Sequence, residues 1–339
     1  MVETRKALRR AAFGHVEFCE EALPPRGPTD VLIRVRAVSL NWKDVALVDG
    51  RLPWPGITGG IVGTEFAGEV EWIGEKIRSL NVVGDRVVSL INLEDITGRE
   101  TTWRALGHNV DGTLAEHIVL PEVAIVNIPD YLAWTEASMI SCAGLTAWSA
   151  LKMTSRLYGK TVLIEGTGGV SILALTLAAK AGAKVIVTSS SDEKLQRVKG
   201  LGAWHTINYK RYPDWESEVL KLTDGRGVDL VVEQGGAATL LKSVAAVGKG
   251  GQVSQVGLLT TESQGDLGEL VNMLIMKACS IVGIRVGIKS DLEEFVEFLN
   301  ATELTLTPCI DRIFQFDQAA EALDYLRSGK AFGKVVVEF

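Results

Sequence analysis

The residues with the clearest chemical meaning are Thr161-Val-Leu-Ile-Glu-Gly-Thr-Gly-Gly-Val-Ser171. An apolar strand pattern runs into Gly166, Gly168 and Gly169, and a helical pattern follows at once. Glycine permits a tight turn and lets backbone N–H groups come close to a phosphate. The helix start adds unpaired N–H groups and the positive end of its dipole. Gly166, Thr167, Gly168, Gly169 and Val170 are therefore candidate residues for gripping a diphosphate. Ser171 stands where the usual fingerprint has its third glycine. Alone, the motif also fits a tight turn with no ligand. Its context favours a ligand, because a helix stop at Gly182 and a second strand from Lys184 follow.

The end of that second strand bears on which dinucleotide is held. An NAD site places Asp or Glu there for the ribose 2′-hydroxyl. This chain has Val187-Thr-Ser-Ser-Ser191. Ser189, Ser190 and Ser191 leave room for a 2′-phosphate and can donate to it, and Lys194 one turn later can neutralise it. The expected cofactor is NADPH. Ser190-Ser-Asp-Glu193 also reads as a helix-capping box, and three serines exceed what one cap needs. Asp192 and Glu193 weigh against a phosphate if their side chains turn inward.

These residues need a scaffold. From about residue 130 strand and helix patterns alternate: Thr161–Glu165, Ser171–Ala181, Lys184–Thr188, Asp192–Leu201, Trp204–Ile207, Trp215–Thr223, Asp229–Glu233, Leu240–Val247, Gln252–Gln255 and Ser280–Gly283. Alternation with apolar strands implies an α/β fold with a doubly wound parallel sheet of six strands. Residues 1 to about 125 differ. Val31 to Val38 alternates at period two, Ala67–Ile73 and Arg86–Leu90 are further short strands, and Pro24-Pro25, Pro53-Trp-Pro-Gly56 and Gly84-Asp85 punctuate them. Strands without helices suggest a barrel-like or sandwich unit. After about residue 286, helices at Asp291–Leu299 and Ala319–Leu326 and a strand at Lys334–Glu338 are too few for a domain. They are expected to complete the N-terminal unit. The predicted division is 1–127 with 287–339, and 128–286.

Bulk properties agree with a soluble enzyme. The 339 residues are 47% hydrophobic and 23% charged, with a net charge of −7. A polyphosphate backbone would be repelled on average, so nucleic acid is not an expected partner. No run of 18 uncharged apolar residues exists and no targeting segment is evident, so no membrane partner is expected. Cys19, Cys142, Cys279 and Cys309 are scattered without a CxxC. That pattern fits a reducing cytoplasm better than a disulfide framework.

With their flanking residues, these segments resemble the medium-chain dehydrogenase/reductase superfamily. Gly63-Thr-Glu-Phe-Ala-Gly68, Val83-Gly-Asp-Arg-Val87, Gly112-Thr-Leu-Ala-Glu-His117, Ala143-Gly-Leu-Thr-Ala147 and Phe332-Gly-Lys-Val-Val336 carry the similarity in family order across essentially the whole chain. The resemblance implies a GroES-like catalytic domain beside the Rossmann domain. It also implies the places where zinc-dependent members hold catalytic zinc, which here are Asn41, Thr64 and Cys142. One thiol cannot hold zinc. The stretch 90–115, where a structural zinc lobe would need four cysteines, has none, and His108 and His117 could not replace them. No metal is expected, and Cys142 reads as a packing residue.

What remains is similar to the zinc-independent quinone oxidoreductase branch, which pairs residues as in Asn41-Trp-Lys-Asp44 and Gly63-Thr-Glu65. This similarity places Lys194 and Tyr209 beside the adenosine 2′-phosphate, Thr146 at the nicotinamide half, and Val256-Gly257-Leu258 along the nicotinamide. The tyrosine often found in that branch is Ala46 here, so substrate contacts should differ.

Without zinc, hydrogen-bond donors must polarise the acceptor carbonyl. The candidates are the Asn41 amide, the Lys43 ammonium and the Thr64 hydroxyl. Each has a plainer reading. Asn41 and Asp44 can close a turn, Lys43 can be a surface lysine, and Thr64 and Glu65 can be structural, with Glu65 buried and paired. Trp42, Trp54 and Trp103, the last on a long polar segment from Asn92 to Gly112, favour a hydrophobic small-molecule substrate. The expected activity is hydride transfer from NADPH to a quinone, enone or other activated carbonyl. The alternatives are an alcohol dehydrogenase for a bulky alcohol and a non-catalytic NADPH-binding redox sensor. Family resemblance also implies a homodimer joined through the last Rossmann strand, Ser280–Gly283.

Overall fold

Apolar runs between helices become a parallel sheet when helices can cover both of its faces. In the computed structural model six such strands lie in the order His205–Asn208, Lys184–Ser189, Thr161–Glu165, Val228–Glu233, Val247–Gln255 and Ser280–Gly283. All five pairings are parallel. Val162, Leu163, Ile164, Val231 and Val232 are fully buried. Burial on both faces explains why they read as continuous apolar runs and not as alternation. The order reverses between Thr161–Glu165 and Val228–Glu233, and the carboxyl ends of those neighbours form the crevice where such sheets take ligands. The structure describes residues 3–12, 14–54, 56–78, 82–152, 157–260 and 265–339. Met1, Phe13 and Pro55 of the proline-rich turn lie outside them.

The sheet belongs to a unit of Thr146–Val286. Its helices pack Ile172, Leu173 and Leu177 of Gly169–Lys180 and Trp215 and Val219 of Trp215–Leu222 into the core. Helix Leu267–Lys277, which the sequence reading did not anticipate, has no fully buried residue. Only Leu270, Met273 and Leu274 lean on the core.

The second unit is Met1–Leu145 with Gly287–Phe339. Its sheet runs Ile310–Gln315, Lys334–Glu338, Asp30–Leu40, Glu65–Ile73, Arg86–Ser89 and Ile125–Asn127, with His117–Pro121 also paired to Asp30–Leu40. The two C-terminal strands thus complete the N-terminal sheet. Lys334–Glu338 runs antiparallel to Asp30–Leu40, with Val335 opposite Leu40. A hairpin of Thr4–Ala12 and His15–Ala22 was not foreseen. Its strands are rich in Arg, Lys and Glu and hide their alternation. Cross-strand ion pairs of Arg5 and Arg9 with Glu21 stabilise the register.

The first boundary differs from the expected break after residue 127 and falls after Leu145. Segment 128–145 is tied into the first unit by the polar groups of exposed Tyr131 and buried Glu136. The Tyr131 hydroxyl donates to the carbonyls of Leu299 and Leu304 at 3.0 and 3.1 Å. One Glu136 oxygen accepts from the N–H groups of Leu306 and Thr307, both at 2.7 Å. A composition change marks where strand–helix alternation starts, but it does not register such side-chain ties. The return boundary falls between Val286 and Gly287. Among the described residues no helix is long and apolar enough to cross a membrane.

Candidate functional site

In the Rossmann unit the glycine turn has the conformation its sequence requires. Gly166 has φ +77°, where a side chain would be strained. A Cβ at Gly168 would meet no atom within 4 Å, so that face of the turn is open. Helix Gly169–Lys180 starts directly after it, with Gly168 as its extended N-cap. Open space, free backbone approach and a helix start are what a diphosphate needs. Ser171 spends its hydroxyl on the Glu165 carbonyl at 2.7 Å. The serine in the third glycine's place therefore braces the turn from below.

At the end of the next strand Ser189 is buried, while Ser190 and Ser191 are half-buried. The cap is Ser191, whose hydroxyl accepts the Lys194 N–H at 3.3 Å. The box expected from Ser190 to Glu193 is not formed, because the helix starts one residue later, at Asp192. Asp192 accepts from the Asn208 amide at 2.8 Å and pairs with Arg211. Its carboxylate is thus tethered to the neighbouring strand end. Tyr209 is exposed and bonds through its N–H to the Ser189 carbonyl at 3.1 Å, which brings it beside the serines. Gly257 is forced by packing, since a Cβ there would lie 1.7 Å from the Gln234 carbonyl oxygen. Thr146 is buried and Leu258 exposed. Among the described residues no side-chain hydrogen bond links either to the glycine turn.

Two buried acids here were missed by sequence reasoning. Glu165 ends the strand that feeds the turn, and Glu233 ends its neighbour. Both sit on apolar strands, where a carboxylate is costly unless something compensates it. That is the signal that could have found them.

In the other unit a compact polar cluster surrounds Glu65, which is fully buried. Lys334, also buried, approaches Glu65 Oε1 at 2.9 Å and donates to Asn41 Oδ1 and the Leu40 carbonyl, both at 2.7 Å. The Asn41 amide donates to Glu65 Oε1 at 3.0 Å. Glu65 Oε2 accepts the Cys142 N–H at 2.7 Å and the Ala143 N–H at 3.3 Å, anchoring the turn Ile140–Gly144. Asn41 is the N-cap of helix Trp42–Val48, and its N–H is accepted by Asp44 at 2.7 Å. Thr64 donates its hydroxyl to Asp44. Burial raises the Asp44 carboxyl above its ordinary value despite the Thr64 bond.

Of the three expected donors, Asn41 and Thr64 are thus committed inside the protein. Lys43 differs. Among the described residues its ammonium has one acceptor, the Leu106 carbonyl, at a long 3.4 Å. Burial lowers its proton affinity. The tryptophans divide. Trp103 stacks on His108 at 4.4 Å, and His108 Nε2 donates to the Trp54 carbonyl at 3.2 Å. Trp42 lies instead under the Arg51 guanidinium. Lys334 was missed because a lysine opening a strand reads as surface. Only the pairing of that strand beside Asn41 buries it.

Relatives agree with this architecture. The model of the alcohol dehydrogenase GroES-like domain matches residues 27–130, and that of the zinc-binding dehydrogenases matches 169–301. A zinc-type alcohol dehydrogenase-like protein of Schizosaccharomyces pombe is 39% identical over 318 residues, covering 92% of this chain and 91% of that one. The chain belongs to the medium-chain dehydrogenase/reductase superfamily. A quinone oxidoreductase-like protein 2 homolog of Nematostella vectensis is 28% identical over 92% of this chain and 82% of its own. A crystal structure assigned to an alcohol dehydrogenase of Sinorhizobium meliloti 1021 superposes with a TM-score of 0.90 at 36% identity, covering all of both chains. The quinone oxidoreductase of Pseudomonas syringae pv. Tomato DC3000 gives 0.81 at 27%, over 99% of this chain and 100% of that one. This member of the superfamily is an oxidoreductase with a nicotinamide-binding sheet and a GroES-like domain.

The name of one matching model raises zinc, and the donor chemistry tests it. Asn41 and Thr64 offer an amide and a hydroxyl, both already hydrogen-bonded. Burial, with Glu65 close by, pushes the Cys142 thiol up to about 12, which disfavours the thiolate a metal needs. Among the described residues no group of three or more His, Cys, Asp or Glu could hold a metal. These side chains do not fit zinc.

Proposed function

We propose that this chain is a zinc-independent, NADPH-dependent reductase of quinones, enones or similarly activated carbonyls. One observation carries the cofactor choice. The rim formed by Ser189, Ser190 and Ser191 has no carboxylate of its own, and the nearest one, Asp192, is held by Asn208 and Arg211. Gly166 to Val170 would hold the diphosphate, and Ser190, Ser191, Lys194 and Tyr209 the 2′-phosphate. Thr146, Gly257 and Leu258 would lie along the nicotinamide half. When bound, the dinucleotide supplies the hydride.

The chain's own residues then have separate tasks. Lys43 is the donor with capacity to spare, so it polarises the acceptor oxygen and can deliver a proton. Asn41, Thr64, Asp44, Glu65 and Lys334 form the brace that fixes the start of helix Trp42–Val48 and so positions Lys43. The test is steady-state oxidation of NADPH and of NADH against a panel of quinones and enones, with and without a chelator. Turnover lost on chelation, or equal use of both cofactors, would overturn the reading. Alcohol dehydrogenation is the second reading, favoured by the names of several relatives. Reduction of NADP by bulky alcohols would support it.

A homodimer belongs to the same proposal. Among the described residues strand Ser280–Gly283 is the sheet's edge and pairs only with Val247–Gln255. Leu267, Ile275 and Met276 on helix Leu267–Lys277 are exposed. Edge strands with apolar neighbours favour pairing between copies. Sedimentation should show a dimer that Val282→Lys converts to monomer.

A further inference from the structure

Glu165 and Glu233 end adjacent parallel strands, and one backbone group, the Gly235 N–H, reaches both carboxyls, at 3.4 and 3.0 Å. Both are buried. The groups meeting them are neutral. Ser243, on helix Leu240–Ala246, donates to Glu165 Oε1 at 2.5 Å, and the N–H groups of Gln234 and Gly235 reach Oε2 at 3.4 Å. Glu233 Oε1 accepts the N–H groups of Gly235 and Gly236 at 3.0 and 3.1 Å and the Thr239 hydroxyl. Its Oε2 accepts from Gln255 on the next strand and, at 3.1 Å, from Gly236. No Lys, Arg or His is among these partners. Two buried carboxyls that share a neighbouring N–H group and meet only neutral partners disfavour being charged together.

The backbones of the two acids also adjoin two segments on which the cofactor reading depends, the glycine turn and Gly257. Glu165 leads directly into Gly166, its carbonyl takes the Ser171 hydroxyl, and its side chain reaches the 234–235 backbone. The Glu233 carbonyl accepts from Val256 and Gly257.

We propose that Glu165 and Glu233 share one proton, and that this proton positions the 234–236 turn, whose backbone both carboxyls hold, so that dinucleotide binding at the adjoining glycine turn takes up a proton. The inference rests on the reading of 166–171 as the diphosphate grip. A diphosphate there adds negative charge beside the pair, so the protonated pair and the bound anion favour each other. Burial, reinforced by the Glu233 charge, pushes the Glu165 carboxyl from 4.5 up to about 8. A carboxyl raised in this way stabilises the fold fully below about pH 4.5 and loses that contribution as pH rises to about 8.

The test is calorimetric titration of the full chain with NADPH in two buffers of different ionisation enthalpy. It is run above the titration of the cofactor's own 2′-phosphate, which lies near about 6. Wild type should take up a proton on binding, and its affinity should fall by up to about tenfold per pH unit above the pair's titration. Glu165→Gln, which mimics the protonated acid, should show neither. Equal proton uptake and equal pH slope in the two proteins would overturn the proposal. A carboxylic acid carbonyl band in the infrared at neutral pH, lost in Glu165→Gln or in Glu233→Gln, tests the shared proton without cofactor. If NADPH binds at no pH, the diphosphate reading and the linkage both fail. The infrared band then still decides whether the proton is shared.

Discussion

Of the buried glutamates at strand ends, Glu65 and Glu165 have opposite surroundings. Glu65 faces the Lys334 ammonium at 2.9 Å, an amide and two backbone N–H groups. Glu165 faces another carboxyl and only neutral donors. Both are compensated, as buried charges must be, but by different means. One unit brings a cation from the far end of the chain. The other keeps a proton. The difference teaches that a buried acid has no fixed role. A paired one becomes a rigid brace, and an unpaired one becomes sensitive to pH and to charge arriving beside it.

The comparison can be broken most forcefully at Lys334. Lys334→Met leaves Glu65 buried and uncompensated, and should cost about 3–5 kcal/mol in urea unfolding at neutral pH. The deficit should shrink in acid, where the abandoned carboxylate can take a proton. A change near zero would mean that the brace contributes nothing. Lys43 sharpens the contrast within the same unit, because its ammonium is not locked by a carboxylate. Lys43→Met should lower enone turnover by about a hundredfold or more while leaving stability nearly unchanged. The alkaline limb of the wild-type rate should fall below 10.5, since burial lowers the Lys43 ammonium. Lys194→Glu asks whether the Rossmann unit reserves a cation for an incoming anion. NADPH affinity should drop about ten- to a hundredfold, and NADH affinity much less. The last variant is Glu165→Gln. At neutral pH it should be neutral or stabilising, because the wild-type acid is ionised when unfolded and must take up a proton to fold, whereas the amide need not. The variant should gain on wild type in melting temperature as pH rises toward 8. A loss as large as that of Lys334→Met would erase the distinction between the two acids.

Much of the scaffold was legible because it depends on local pattern. The Rossmann strands announce themselves as apolar runs bounded by Gly166, Gly182 and Gly202, each with positive φ. The glycine turn and the carboxylate-free serine rim follow from residue types at fixed spacing. The N-terminal hairpin was not legible, since its charged strands gain their meaning from cross-strand partners. Helix Leu267–Lys277 also escaped, although Leu270, Met273 and Leu274 lean on the core.

The sequence by itself determined that a dinucleotide-type turn exists, that its neighbouring strand ends in hydroxyls, and that the positions of a zinc site carry the wrong atoms. These are matters of residue identity along a few adjacent positions. Only the tertiary structure decided which polar groups were already spent. It brought Lys334 to Glu65 across 269 positions and set Glu165 beside Glu233. Hydrogen-bond satisfaction and charge compensation are properties of what surrounds an atom in space, and no local window of sequence contains them.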